Sequence, residues 1–493
     1  MSDRPNESEP SQPATNSRRA IVALIAAAGV LAVLWALDPL VIHTNVLTPF
    51  YRQMPAAPLY SFWAPVARWQ AVGFALLCAG AVWLMPILLR KATPRRFGLT
   101  LALAALLLPP ALFAARQPIR ELGAQLQIYE REEYLWDARR ITDLPGFLRQ
   151  YAQLVPQLSS HGRTHPPGNA ALLYLIGKPI GFSPLAVGIG ILALFAAGII
   201  VTYLWMREVC GETGARVGAL LTLASPSVLN FACTAMDAVF LLVAALAVWP
   251  GIVAFSPRGK IRHAVAAGGA LFLAMMFSFS AFPVGLLIAV YGGVILFRKK
   301  GIALRRLGII LISFLASYLL VDFLTGFDLW EDFAAARGEH VKQMTWLIGR
   351  PLRELYGKLV YGNISAFLIG CGVAIVALFG LRIVALMRGV AGLTAKNAKG
   401  AKNNGDSVTA EQNLGKKLSF DPFLIATLVT GAVLCAGGLF TMEIERIWLF
   451  AIPWFAAVAV GTESRIAVNE TRWLCGAGWA QALGMAALLF TLW

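Results

Sequence analysis

Four short segments carry the side chains able to do chemistry. The first is Tyr129-Glu130-Arg131-Glu132-Glu133-Tyr134-Leu135-Trp136-Asp137-Ala138-Arg139-Arg140, with four acids in eight residues. At helical spacing Glu130, Tyr134 and Asp137 share one face, and Glu133, Asp137 and Arg140 another. Two readings compete: a solvated amphipathic helix with internal ion pairs, or carboxylates able to take a proton from a hydroxyl. The second segment is Ser160-His161-Gly162-Arg163-Thr164-His165-Pro166-Pro167-Gly168-Asn169, which leads into an apolar run. His161 and His165 stand four apart, a spacing that chelates a metal on a helix. A residue before proline is pushed out of the α region, which favours a rigid turn presenting Arg163 and His165. The third is Asp237, a lone carboxylate between apolar runs, either capping the next helix or held there for function. The fourth is Glu443-Ile444-Glu445-Arg446-Ile447-Trp448. Here Arg446 either snorkels to lipid headgroups or grips a phosphate with its planar fork.

These segments must be held by elements that live in lipid. The chain has 493 residues, 58% hydrophobic and only 14% charged, with a mean hydropathy of +0.68. Soluble domains carry far more charge. Apolar runs long enough to span recur throughout and show no alternation, so the spacing predicts helices rather than a barrel. We expect an all-α polytopic integral membrane protein with about thirteen spans. They lie near 20–37, 69–89, 97–115, 184–206, 217–235, 238–255, 264–281, 284–298, 307–324, 363–383, 422–440, 447–461 and 473–492. Residues 1–17 read as a disordered tail. Arg18 and Arg19 precede the first run, which has no small-residue cleavage site and reads as an uncleaved anchor.

The organisation expected is a tail (1–17), N-terminal spans (18–115), an outer loop (116–183) and central spans (184–324). A second outer loop (325–362), a span (363–383), a flexible cytoplasmic loop (384–421) and C-terminal spans (422–493) complete it. The net charge of +16 gathers in the segments that fall inside when the N-terminus is cytoplasmic. That asymmetry is the positive-inside rule and leaves no basic, aromatic-interleaved patch for nucleic acid. It suits a bacterial inner membrane, with lipids as the surrounding partners. The six cysteines stand singly in or beside apolar runs, without paired spacing, and suggest no disulfide framework. No phosphate-cradling glycine loop, GxSxG or HExxH is present. The second outer loop adds Asp328, Glu331, Asp332, Glu339 and His340, whose spacing favours no single role.

The order of features resembles the GT-C superfamily of membrane glycosyltransferases, in the branch of the protein O-mannosyltransferases and the aminoarabinose transferase of lipid A. An acidic, Tyr-containing segment is followed by His165-Pro166-Pro167, then by a span and the turn Arg207–Arg216. Leu223-Ala224-Ser225-Pro226 and a surface Asp237 come next, with a weaker return at Glu443–Pro453. The resemblance implies an inverting transfer of a sugar from a polyprenyl-phosphate carrier to an acceptor lipid, glycan or protein at the outer face. Aligned on Tyr134, Ala138 and Arg139, the family's Asp-Glu pair falls on Glu130 and Arg131, so Glu130, Glu132 and Glu133 are all candidates for the base. The resemblance implies further that Asp237 orients the acceptor or a site side chain. Tyr134, Arg163, His165, Glu443 and Arg446 would bind the substrate and its phosphate. The resemblance admits a divalent metal without requiring one, since the leaving group is a monophosphate. The first two spans are an addition to the family pattern. Two other classes stay open: a transporter or lipid flippase, whose charges would sit mid-span in paired halves, and a non-catalytic membrane scaffold.

Overall fold

The computed structural model describes residues 14–38, 59, 61–66, 68–127, 131–297, 300–348, 352–400, 421–437, 444–461 and 466–491. Several helices start where local chemistry places them. Thr93, Ser183 and Asp421 sit in extended backbone and accept from amides of the first turn, each followed by proline at the first helical position. They open α3 (Pro94–Ala114), α8 (Pro184–Leu223) and α17 (Pro422–Ala436). Before α3 come α1 (Ala14–Asp38) and α2 (Gln70–Pro86). Between α3 and α8 lie the short α4 (Tyr134–Arg140), α5 (Leu144–Arg149) and α6 (Tyr151–Leu154), and then α7 (Gly168–Ile180). After α8 follow α9 (Pro226–Phe231), α10 (Asp237–Phe255), α11 (Ile261–Phe277), α12 (Ala281–Leu296) and α13 (Lys300–Thr325). Next are α14 (Leu329–Ile348), α15 (Leu352–Cys371) and α16 (Val373–Gly400). Beyond α17 come α18 (Ile444–Ile447), α19 (Ile452–Val460) and α20 (Val468–Leu488).

α10 is the axis of the bundle. It packs on α8 and α11, while α3 and α19 close on α8 and α13 on α11. In α10, 72% of the apolar window is buried inside the protein, against 6% in α13. α13 turns Leu311, Ile312, Leu315, Leu319 and Phe323 outward, an apolar surface fit for lipid rather than water.

Among the described residues six helices are long and apolar enough to cross a membrane: α1, α2 with its continuation to Lys91, α3, α8, α10 and α13. A seventh is possible by length if α15 and α16, bent by 108° at Gly372 (φ +87), form one broken span. Four further expected spans correspond to shorter apolar helices, among them α11, α12 and α17. Spans near 184–206 and 217–235 were expected around a basic turn, and within that turn α8 (Pro184–Leu223) breaks into two helical pieces. Its only non-helical residue is Gly211 (φ 68, ψ 177). Glu212 closes that break by accepting from Tyr203 (2.6 Å), Arg207 (2.7 Å) and Arg216 (2.7 Å). The second expected span then ends early, because Pro226 starts α9 as a separate helix.

Two further expectations need correction. The all-α reading misses a ribbon: Ser61–Trp63 (β1) pairs antiparallel with Leu489–Thr491 (β2). Phe62, Trp63, Phe490 and Thr491 suit a strand, but the pairing joins opposite ends of the chain and no local signal marks it. The loop expected over 384–421 is helical as far as Gly400, in keeping with its Ala- and Lys-rich composition. Residues 401–420 lie outside the described residues, as does the expected tail up to residue 13.

Candidate active site

Among the described residues the acidic segment does not form the continuous helix that its spacing suggested. Residues 128–130, and with them the candidate Glu130, lie outside the described residues. Arg131 takes the left-handed conformation (φ 67) and Glu133 is extended, so the helix begins only at Tyr134. A non-glycine residue at positive φ carries strain, and such strain persists only where the surroundings impose it. Here the imposition is a short backbone pairing. Ser160 N donates to Arg131 O (2.8 Å) and His161 N to Glu132 O (3.1 Å). The face expected of Glu133, Asp137 and Arg140 therefore loses Glu133, which precedes the helix. Glu133 instead reaches back to His161, and Asp137 serves the loop.

Asp137 is the anchor of that loop. It is buried, and its carboxylate accepts from Ser159 N (2.8 Å) and Ser159 Oγ (2.5 Å). Burial raises its pKa to about 6, against the lowering effect of the Ser159 hydrogen bonds. Ser159 Oγ in turn accepts from Gly162 N (2.9 Å). The buried Tyr151 hydroxyl lies 2.9 Å from Gly162 O and 3.0 Å from His165 O. Gly162–Thr164 make one 3-10 turn, His165 is extended before Pro166, and α7 starts at Gly168. Asn169 Nδ2 donates to Phe277 O (3.0 Å), which pins α7 to the end of α11. From the second outer segment, Gln343 Nε2 donates to Ser160 O (3.2 Å).

Arg446 arrives from the other end of the chain, carried by apolar anchors. Trp448, Leu449, Phe450 and Ala451 are all buried immediately after it. Phe450 meets Phe240 edge-on (5.0 Å) and Trp448 meets Phe367 (5.5 Å). Since Phe240 is one turn along α10 from Asp237, the anchor brings the guanidinium onto that carboxylate. Arg446 Nε lies 3.5 Å from Asp237 Oδ2, and Nη2 lies 3.4 Å from His161 Nε2. His161 Nδ1 sits 2.8 Å from Glu132 O and 3.4 Å from Glu133 Oε1. A carbonyl only accepts, so Nδ1 carries the hydrogen and Nε2 offers its lone pair to Arg446. The row Glu133–His161–Arg446–Asp237 is thus continuous. Tyr134 lies against it, 5.6 Å from the His161 ring and 5.8 Å from that of His165. Burial pushes the Tyr134 phenol well above its usual value, with Asp237 adding to the rise. Burial, then the positive charge of Arg446, holds His161 well below the usual histidine range.

The structure thus brings together Glu133, Tyr134, His161, His165, Asp237 and Arg446. Glu132 contributes its main chain to this row. Arg163 is turned away: its Nε donates to Leu158 O (2.9 Å). Glu443 lies outside the described residues, and of the Glu445 side chain nothing is described. His161 and Asn169 stand in the quoted motif, yet the sequence supplied only a chelating role for the first and none for the second. Their signal was the motif itself. His340, close enough to His165 to influence it, came from a loop with no distinguishing spacing. Among the described residues no three His, Cys, Asp or Glu side chains gather as a metal set. A separate cavity of about 50 Å³, lined by Arg116, Gln117, Gln125, Asn230 and Thr234 among apolar groups, contains none of these residues.

No protein-family model matches the chain, and no curated protein does. Among solved structures it is similar to ArnT from Cupriavidus metallidurans bound to undecaprenyl phosphate, at 14% identity. That match covers 79% of this chain and 77% of the other, with a TM-score of 0.32. A likeness at this TM-score carries no argument.

Proposed function

We propose that this chain is an inverting glycosyltransferase that moves a sugar from a polyprenyl-phosphate carrier to an acceptor hydroxyl at the membrane surface. One observation carries the reading. A buried guanidinium, 5% exposed, is held between a carboxylate and a neutral imidazole at the end of a largely apolar helix bundle. Such an arginine is costly to bury unless it serves an anion. A planar fork already aligned by its neighbours suits a phosphate oxygen pair. A phosphate tethered to a polyprenol would bring its chain into the lipid beside the bundle.

The chemistry follows from charge. The acceptor oxygen forms a bond to the anomeric carbon while the bond from that carbon to the phosphate oxygen breaks. The polyprenyl phosphate leaves with the electron pair, and the acceptor proton passes to a base on the opposite face. Charge grows on the leaving phosphate, and Arg446 supplies a donor set in place before the reaction. Asp237 and Glu133 keep that donor set from swinging, directly and through His161.

The test is transfer from polyprenyl-phosphate mannose in proteoliposomes, with a membrane lipid and glycan extract as acceptor. Arg446→Ala should lose roughly 10²–10³ in turnover, as removal of one preorganised donor does. Arg446→Lys should not restore it, because a point charge lacks the fork. Wild type that releases no polyprenyl phosphate from this or any other carrier sugar, or Arg446→Ala equal to wild type, would sink the reading.

A further inference from the structure

We propose that His165, through Nε2, takes the proton of the acceptor hydroxyl; the assignment rests on the transferase reading above. The first ground is the tautomer. His165 Nδ1 lies 3.1 Å from His161 O, which only accepts, so Nδ1 carries the ring hydrogen. Thr164 Oγ1, 3.1 Å from the same nitrogen, faces the carbonyls of Ser160 and His161. The lone pair is therefore on Nε2, at the far edge of the ring. Among the described residues Nε2 has no hydrogen-bond partner, and the residue as a whole is half-buried.

The second ground is that the carboxylates beside it are engaged. Glu133 serves His161 and Asp237 serves Arg446. Drawing either one off to collect a proton would loosen the guanidinium at the moment the phosphate needs it. His165 is held instead by its own turn, by the carbonyl bond of Tyr151 and by the edge of Tyr134.

The third ground is charge. Burial, with the positive field of Arg446, lowers the His165 pKa to about 4, so the ring is neutral at physiological pH. The groups around it are Arg446, His340, His161 and Tyr134, with Glu133 and Asp237 beyond them. A phosphate arriving at Arg446 offsets that positive field. His165 thus becomes more basic once the carrier is bound.

Two variants separate a base from a structural part. His165→Asn keeps an N–H near the Nδ1 position but has no Nε2; His165→Gln places a non-basic amide near Nε2. Binding is read by thermal shift with undecaprenyl phosphate, and turnover by its release from polyprenyl-phosphate mannose. We expect both variants to bind undecaprenyl phosphate as wild type does and to lose roughly 10²–10⁴ in turnover, the range for general-base catalysis. In wild type the acid limb of kcat should lie at higher pH than that of kcat/KM, because the first reports the carrier-bound enzyme. Both limbs should disappear from the residual activity of His165→Asn. If His165→Asn turns over like wild type, His165 is structural and the transferase reading survives. If turnover and undecaprenyl phosphate binding fall together in both variants, His165 supports the fold or the carrier site and is not the base. If wild type transfers nothing, the assignment falls with the reading it rests on.

Discussion

Asp332 shows what a single residue can disclose outside the proposed chemistry. It is fully buried on α14, and neither carboxylate oxygen has a hydrogen-bond partner among the described residues. Burial raises its pKa to about 8. An unfolded aspartic acid titrates near 4, so between pH ~4 and ~8 the folded state holds a proton that the unfolded state has released. The contribution is therefore fully present below pH ~4 and is lost as pH rises toward 8. Asp332→Asn removes the ionisation. Thermal unfolding in detergent should show the variant gaining stability on wild type as pH rises from 4 to 8. A difference that is constant across that range would mean that Asp332 does not titrate as a buried acid. Asp237 behaves differently, because its charge has a partner. Asp237→Asn should leave Arg446 short of a counter-charge and weaken turnover more than it weakens folding; melts and transfer assays on one preparation would compare the two.

At the scale of elements, the turn from Ser159 to His165 depends on a residue without a side chain. A Cβ at Gly162 would press into the Asp137 carboxylate and come within 3.0 Å of Ser159 Oγ and 3.1 Å of Leu158 Cβ. Gly162→Ala should cost about 1–3 kcal/mol, as overpacking does. Because it acts through Asp137 and Ser159, it should also displace His161 and lower transfer. Unchanged melting and unchanged turnover would show that the turn adapts freely. The acidic segment teaches a related lesson. Its arginines serve structure: Arg131 and Arg140 lie against the Trp136 ring at 5.4 and 5.3 Å, and Arg139 donates to Phe182 O at 2.7 Å. Helical spacing misassigned the acids because the pairing of Arg131 and Glu132 with Ser160 and His161 overrides local helix preference before Tyr134.

For the whole molecule, charge asymmetry predicts a cytoplasmic N-terminus and, with the thirteen spans expected from the sequence, Trp493 on the outer side. A reporter fused after Trp493 should be active only outside the cytoplasm. Activity in the cytoplasm alone would mean that one span has been miscounted. The bent pair at Gly372 is where such a miscount would arise, since it turns one expected span into two helical pieces.

Composition and run length determined the class by themselves: an apolar, mostly helical membrane chain, because backbone in lipid must satisfy its own hydrogen bonds. Residue types in short motifs, with the family resemblance, singled out Glu130, Glu132, Glu133, Tyr134, Arg163, His165, Asp237, Glu443 and Arg446. They did so because charge beside apolar runs is costly and stands out. Only the tertiary structure decided which of these meet. Arg446 and His161 are 285 residues apart, and Phe450 on Phe240 joins them, a contact between two ordinary core residues that no motif marks. The hydrogen-bond partners of Arg163 and Asp137, Leu158 O and Ser159, likewise came from the fold rather than from residue type. Hydrogen bonds to backbone atoms follow the path of the chain in space, and side-chain identity alone does not contain that path.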